Sequence, residues 1–155
     1  MQPWRFLVTR QGEEGFDKLH DCLAGGNKPW TERVPILLLS VTQTVLPAKD
    51  GKPARDNVTA AHDLGLAFGN LLLQATALGL HVHPMAGFDR KAVREAFAIP
   101  EGYEPMTVSA LGYAAPSDTL TEDLRVREEA PRTRKPLGEI VFENGWDAPA
   151  PFTGS

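Results

Sequence analysis

The sequence predicts a three-layer domain, α/β or α+β, in which helices cover a central sheet. Three observations carry this expectation. Short segments rich in branched and aromatic residues alternate with longer stretches whose apolar residues recur at helical spacing. Glycine and proline punctuate the boundaries, as at Gly25-Gly26, Pro47, Pro53, Gly79 and Gly87. The composition, 42% hydrophobic and 23% charged, is that of an ordinary globular chain and lacks the polar bias of a disordered one. One domain over residues 1–155 is expected; at this length roughly 70% of the unfolded surface is buried, enough for a core without disulfides.

Trp4 to Thr9 alternates bulky and β-favouring residues, so it reads as a strand that begins almost at the first residue. From Gly12 to Leu23, Phe16, Leu19 and Leu23 mark one face of an amphipathic helix that Gly25 and Gly26 end. Cys22, the single cysteine, has no internal disulfide partner and reads as a small buried apolar residue. Asn27 to Val34 is a polar loop anchored by Trp30. The run PILLLSVT, Pro35 to Thr42, is too short for a helix and apolar throughout, which predicts a central strand buried on both faces.

Gln43 to Asn57 contains Pro47, Asp50-Gly51 and Pro53 and is expected to be a long loop, of the kind that serves as a lid or faces substrate. Asn57 or Thr59 can cap a helix reaching about Leu78, with Leu64, Phe68, Leu71, Leu72, Ala75 and Leu78 on a wide apolar stripe. A helix that apolar belongs at the centre of the core or at a subunit interface. His81 to His83 is a short extended piece, Pro84-Met85-Ala86-Gly87 a tight turn, and Asp89 the cap of a helix through Phe97. Met106 to Gly112 is another strand; beyond it lie a charged, Pro-rich tail from Ser117 to Pro136 and a last strand or extended arm from Leu137 to Phe142.

Several function classes are excluded. The net charge is −4, and the cations are scattered except at Arg132, Arg134 and Lys135, which argues against a nucleic-acid partner. No apolar run approaches the roughly 20 residues of a membrane span, and the opening residues are not those of a signal peptide, so a cytoplasmic location is expected. His81 and His83 share a strand face but have no third ligand at metal-site spacing, and no metal is expected. There is no G-x-S-x-G elbow, no dinucleotide-binding glycine motif in strand-turn-helix context and no Walker loop. No catalytic acid, base or nucleophile is assigned.

Four phrases in order, Gln2-Pro3-Trp4-Arg5-Phe6, DLGLAFGNLLLQATALGL followed by HVHPMAGFD, IPEGYEP before a strand ending in ALGY, and RKPLGEIVFENGW, resemble the nitroreductase family from Gln2 to Trp146. The resemblance implies an α+β fold with a central mixed sheet, an intertwined homodimer, and FMN at the subunit interface. It also implies electron transfer from NADH or NADPH to a nitroaromatic, a quinone or a similar small acceptor, with the flavin carrying the chemistry. Gln2 falls on the glutamine of the family's Asn-x-Gln-Pro-Trp phrase beside the flavin. Pro84, Met85, Ala86 and Gly87 fall on the loop whose backbone approaches the ring, where a glycine permits close approach. Arg134 and Lys135 match basic residues that pair with the FMN phosphate. Family members usually begin with about two helices bearing an Arg-x-Ser or Arg-Arg-Ser phrase that holds the phosphate. Nothing in this sequence matches them, so an N-terminally truncated domain is expected. The alternative is a non-catalytic domain that dimerises or binds a partner without retaining flavin.

Overall fold

The computed structural model describes residues 1–153. The chain divides into two units, Met1–Ala115 and Pro116–Ser155. In the first, alternating residues shape β1 (Trp4–Arg10), followed by the amphipathic α1 (Glu14–Asp21), which buries Phe16 and Leu19. The expected loop after it contains one short helix, α2 (Lys28–Thr31), begun by Pro29, whose fixed φ suits a first turn. The run of leucines forms β2 (Ile36–Gln43), buried from Leu37 through Thr42. It lies between two neighbours in the sheet, as its apolar character requires.

The segment expected to be a structureless loop folds back on itself as a small hairpin, β3 (Val45–Leu46) against β4 (Arg55–Asp56), turning at Asp50 and Gly51, both at positive φ. Next come α3 (Ala60–Ala77), β5 (His81–Met85), α4 (Arg90–Ala96) and β6 (Tyr103–Gly112). Thr59 stands at the head of α3, but neither it nor Asn57 caps it: the Thr59 hydroxyl donates to Asp63, and the Asn57 amide donates to the carbonyl of Gln43. Asp89, by contrast, caps α4 as expected.

The sheet order is β1-β2-β6-β5, and all three ladders are antiparallel, where a mixed sheet was expected. The reason is topological. The crossover through α3 returns β5 in the direction of β2 but leaves one place open between them, and β6 fills it antiparallel to both. The α+β class stands. The β2–β6 register shifts between Ser40 and Val41, next to Pro105, which has no N–H to give the ladder.

One sheet face presents Leu37, Leu39, Val41, Met85, Val108 and Ala110 to Phe16 and Leu19 of α1 and Val93 of α4, and these residues make one core cluster. Cys22 belongs to it, buried as expected. α3 covers the other face, where the Thr42 hydroxyl donates to the carbonyl of Ala60 at 2.9 Å. Ser40 and Ser109 alternate onto that side; their hydroxyls are buried with no hydrogen-bond partner among the described residues. α3 is not the centre of the core. It buries Ala60, Leu64 and Ala75, while Leu66, Leu73 and Leu78 remain exposed.

The second unit contains α5 (Glu122–Glu129), whose Arg125 pairs with Glu122 and Glu129, and the Ser117 hydroxyl donates to Glu129. Leu137–Glu139 is a 3-10 turn and not the expected strand or arm. Pro136 starts it, and its carbonyl accepts from Glu139 N–H at 3.0 Å, closing a turn that an extended arm would leave open. Phe142 then bridges to Pro149 and packs its ring 5.2 Å from that of Trp146.

Candidate functional site

The expected turn at Pro84–Gly87 is in part strand. Pro84 and Met85 end β5, opposite Ser109 and Val108, and only Ala86 and Gly87 leave the sheet. β5 is an edge strand, the position at which a residue without an N–H is tolerated. Met85 points into the core and is 4% exposed, so its side chain is not available to a ligand. Ala86 and Gly87 are exposed.

This short loop is held from one side by the connection between α1 and α2. The Gly87 carbonyl accepts from Ala24 N–H at 2.9 Å and from the Asn27 side-chain amide at 3.0 Å, and Asp89 N–H donates to the carbonyl of Cys22 at 2.8 Å. A Cβ added at Gly87 would lie 3.0 Å from Asn27 Nδ2 and 3.4 Å from Ala24 Cβ. The absence of a side chain at Gly87 lets the loop pack closely against this connection. A cleft of about 600 Å³ borders the loop, lined by Cys22, Ala24, Ala86, Gly87, Phe88 and Asp89 among others. No hydrogen bond among the described residues uses the N–H of Ala86 or of Gly87.

Gln2 precedes β1. Its backbone is fixed, because Arg5 donates to its carbonyl at 2.7 Å and Gln43 N–H donates to the carbonyl of Pro3 at 2.9 Å. Its side chain is exposed and makes no hydrogen bond among the described residues. The registers set Trp4 beside Thr42 and Thr42 beside Glu104, whereas Met85 lies beside Val108, level with Leu39 and Leu7, so β5 points toward the sheet end where Gln2 lies but its loop leaves the ladder level with Leu7. Three strand spacings, roughly 14 Å, separate β1 from β5.

The hairpin base is tied to the same end. Thr44 and Val45 N–H both donate to the carbonyl of Gly102, at 2.7 and 3.2 Å, and Asn57 N–H donates to that of Thr44 at 2.7 Å. Its cations Lys49, Lys52 and Arg55 are exposed.

Arg134 and Lys135 lie in the second unit, adjacent and exposed. Arg134 donates to the carbonyl of Thr133, and Lys135 stands 3.7 Å from Glu139. Among the described residues no three His, Cys, Asp or Glu side chains are grouped to hold a metal. His81 and His83 are exposed, and the His83 ring meets the edge of Trp30 at 4.9 Å. Among the described residues no helix is long and apolar enough to cross a membrane. The Cys22 thiol donates to the carbonyl of Lys18; burial first, then the charges of Asp89 and Asp21, push its pKa above the ordinary thiol value.

Asn27 and Gly102 were missed in the sequence. Asn27 sits in a polar stretch with no periodicity, and its partner is 60 residues away; nothing local marks that pairing.

The nitroreductase family model matches residues 17–113, from within α1 to just past β6, a span that includes Pro84–Gly87 but neither Gln2 nor Arg134 and Lys135. An uncharacterized 15.4 kDa Mycolicibacterium smegmatis protein, from the ask 5′ region, is 33% identical over 153 residues, covering 94% of this chain and 99% of that protein. A Stutzerimonas stutzeri protein, provisionally assigned as an NADH dehydrogenase/NAD(P)H nitroreductase, is 31% identical over 84% of this chain and 69% of its own length. Among solved structures, an FMN-containing oxidoreductase superposes with a TM-score of 0.87 at 28% identity, over 94% of this chain and 73% of that one. A nitroreductase family protein from Clostridium difficile 630 superposes with a TM-score of 0.64 at 26% identity, over 92% and 74%. A family match from α1 through β6, a relative similar over nearly its full length and the shared α+β architecture agree: this chain belongs to the nitroreductase family.

Proposed function

We propose that this chain is an FMN-dependent oxidoreductase that passes electrons from NADH or NADPH to a nitroaromatic, a quinone or a similar small acceptor. Membership of the family and the likeness to an FMN-containing oxidoreductase support flavin oxidoreduction in general. The observation that carries the reading to particular residues is the pair of unused N–H groups on Ala86 and Gly87, on a loop that β5 directs toward the sheet end where the free amide of Gln2 lies. Orphan backbone donors on a held loop suit the edge of a planar, acceptor-bearing ring.

Bound FMN would supply the redox chemistry, taking up electrons from a nicotinamide and releasing them to the acceptor. The chain's own part is to bind and orient. Ala86 and Gly87 donate from the backbone, with Pro84 and Met85 fixing where the loop leaves the sheet. The Gln2 amide both donates and accepts. Arg134 and Lys135 neutralise the phosphate, the arginine through its planar fork. The exposed leucines of α3 support a homodimer packed on that helix. A cytoplasmic location suits both the nicotinamide donor and an unpaired cysteine.

The same leucines favour a second reading, a domain that dimerises or binds a partner through α3 without retaining flavin. Titration with FMN, followed by visible absorbance and then by oxidation of NADH and NADPH, separates the two. A bound flavin bleached by either nicotinamide supports the enzyme; a chain that stays colourless with excess FMN leaves the second reading.

A further inference from the structure

We infer that Asn27 is a positioning residue for the loop that faces the flavin: its side-chain amide holds the Gly87 carbonyl so that the Gly87 N–H stays presented to the ligand. The inference rests on the reading that FMN binds at Pro84–Gly87.

Asn27 stands immediately before α2, where an asparagine side chain ordinarily accepts a hydrogen bond from the first turn of the helix. Here it makes no such capping bond. Its Nδ2 instead donates across 60 residues to the carbonyl of Gly87 at 3.0 Å. The support behind it is firm: Asn27 N–H donates to the carbonyl of Ala24 at 2.8 Å, and its own carbonyl accepts from the hydroxyl of the fully buried Thr31 at 2.8 Å. The space a side chain at position 87 would need is taken by this amide.

Two consecutive peptide planes are therefore fixed. Phe88 N–H donates to the carbonyl of Ala86 at 3.2 Å, and since N–H and C=O point oppositely across a planar trans peptide, this sets the direction of Gly87 N–H. Ala24 N–H and the Asn27 amide together set the next plane through the Gly87 carbonyl. Without Asn27 the plane keeps only the bonds of Ala24 N–H and Phe88 N–H, and the glycine, having no Cβ, turns more freely. Hydrogen bonds to the ring tune a flavin's electronics, so loss of this orientation alters the bound cofactor as well as its affinity.

The test uses the full chain and the variants Asn27→Ala and Asn27→Asp, the second keeping size and shape while replacing the donor with an acceptor. Lys28→Ala, on the same turn but donating to Asp21 instead, is the control. The first readout is taken without flavin, from the backbone amide resonances of residues 85–88. Both Asn27 variants are expected to shift or broaden them, with the control unchanged. The second is FMN titration of each chain. One lost hydrogen bond predicts about fivefold weaker binding, together with an altered visible spectrum of the bound flavin. Loop resonances that stay in place in both Asn27 variants overturn the proposal, as do wild-type affinity and spectrum in them. If FMN leaves the Ala86 and Gly87 resonances of the unmodified chain unmoved, the site reading fails and the proposal with it. That failure is told apart because the flavin-free loop response of the variants is recorded independently.

Discussion

Asp89 accepts hydrogen bonds from the N–H groups of Lys91 and Ala92 at 2.9 and 3.0 Å, and so turns the chain from the Ala86-Gly87 loop into α4. Asp89→Ala is expected to cost about 1 kcal/mol and to lower the melting temperature by roughly 2–4 °C in a chain of this size, as measured by circular dichroism. An unchanged melt would mean that packing of Val93 alone holds the helix. Cys22 gives a second prediction from a single side chain. Its pKa is raised in the folded protein, so the native state holds the thiol proton more tightly than the unfolded chain does. The stability this contributes is full below the ordinary thiol value and is lost as pH rises through the raised one. A thiol reagent at mildly alkaline pH should therefore label the native chain slowly and the denatured chain quickly; equal rates would show Cys22 to be accessible. Both residues were legible in the sequence, because a cap and a lone buried cysteine are local signals.

Elements were legible where burial was uniform or strictly periodic. β2 has no polar face to misread, and Phe16 and Leu19 announce α1 at helical spacing. The hairpin of β3 and β4 was hidden because Pro47 and Pro53 read as loop, and its ladder is held mainly from outside, by Gly102. Sheet direction was not legible either, since strand patterns carry no sign and the place of β6 depends on a crossover. α3 is the element whose sequence says most about the assembly. Its apolar surface exceeds what one chain covers, and Leu66, Leu73 and Leu78 stand 59%, 72% and 61% exposed. Because these side chains support little inside the chain, Leu66→Lys with Leu73→Glu is expected to leave the melt nearly unchanged while abolishing the dimer proposed to pack on α3. Light scattering on both forms checks this; a double variant that remains dimeric would place the interface elsewhere.

At the scale of the molecule, the two units have different parts in the proposed activity. Every member of the core cluster, from Phe16 to Val108 and Ala110, lies in Met1–Ala115, as do Gln2 and the Ala86-Gly87 loop. The clamp behind the loop could not be read from the sequence, because Asn27 and Gly87 are neighbours only once the chain has folded. Arg134 and Lys135 were named from resemblance alone and are exposed in the second unit, with no partner among the described residues beyond Thr133 and Glu139. Fold and phosphate affinity should therefore separate experimentally. Replacing both with alanine, Arg134→Ala and Lys135→Ala, removes no buried contact and should leave the melt within about 0.5 kcal/mol of wild type. If they neutralise the FMN phosphate, charge-assisted hydrogen bonds worth about 1.5 kcal/mol or more are lost, and FMN should bind at least about tenfold more weakly. Riboflavin, which has the same ring and no phosphate, should bind the variant and the wild type alike. Equal loss for both ligands would mean that the two cations act on the fold or the ring; no loss for either would leave phosphate recognition to other cations of the chain.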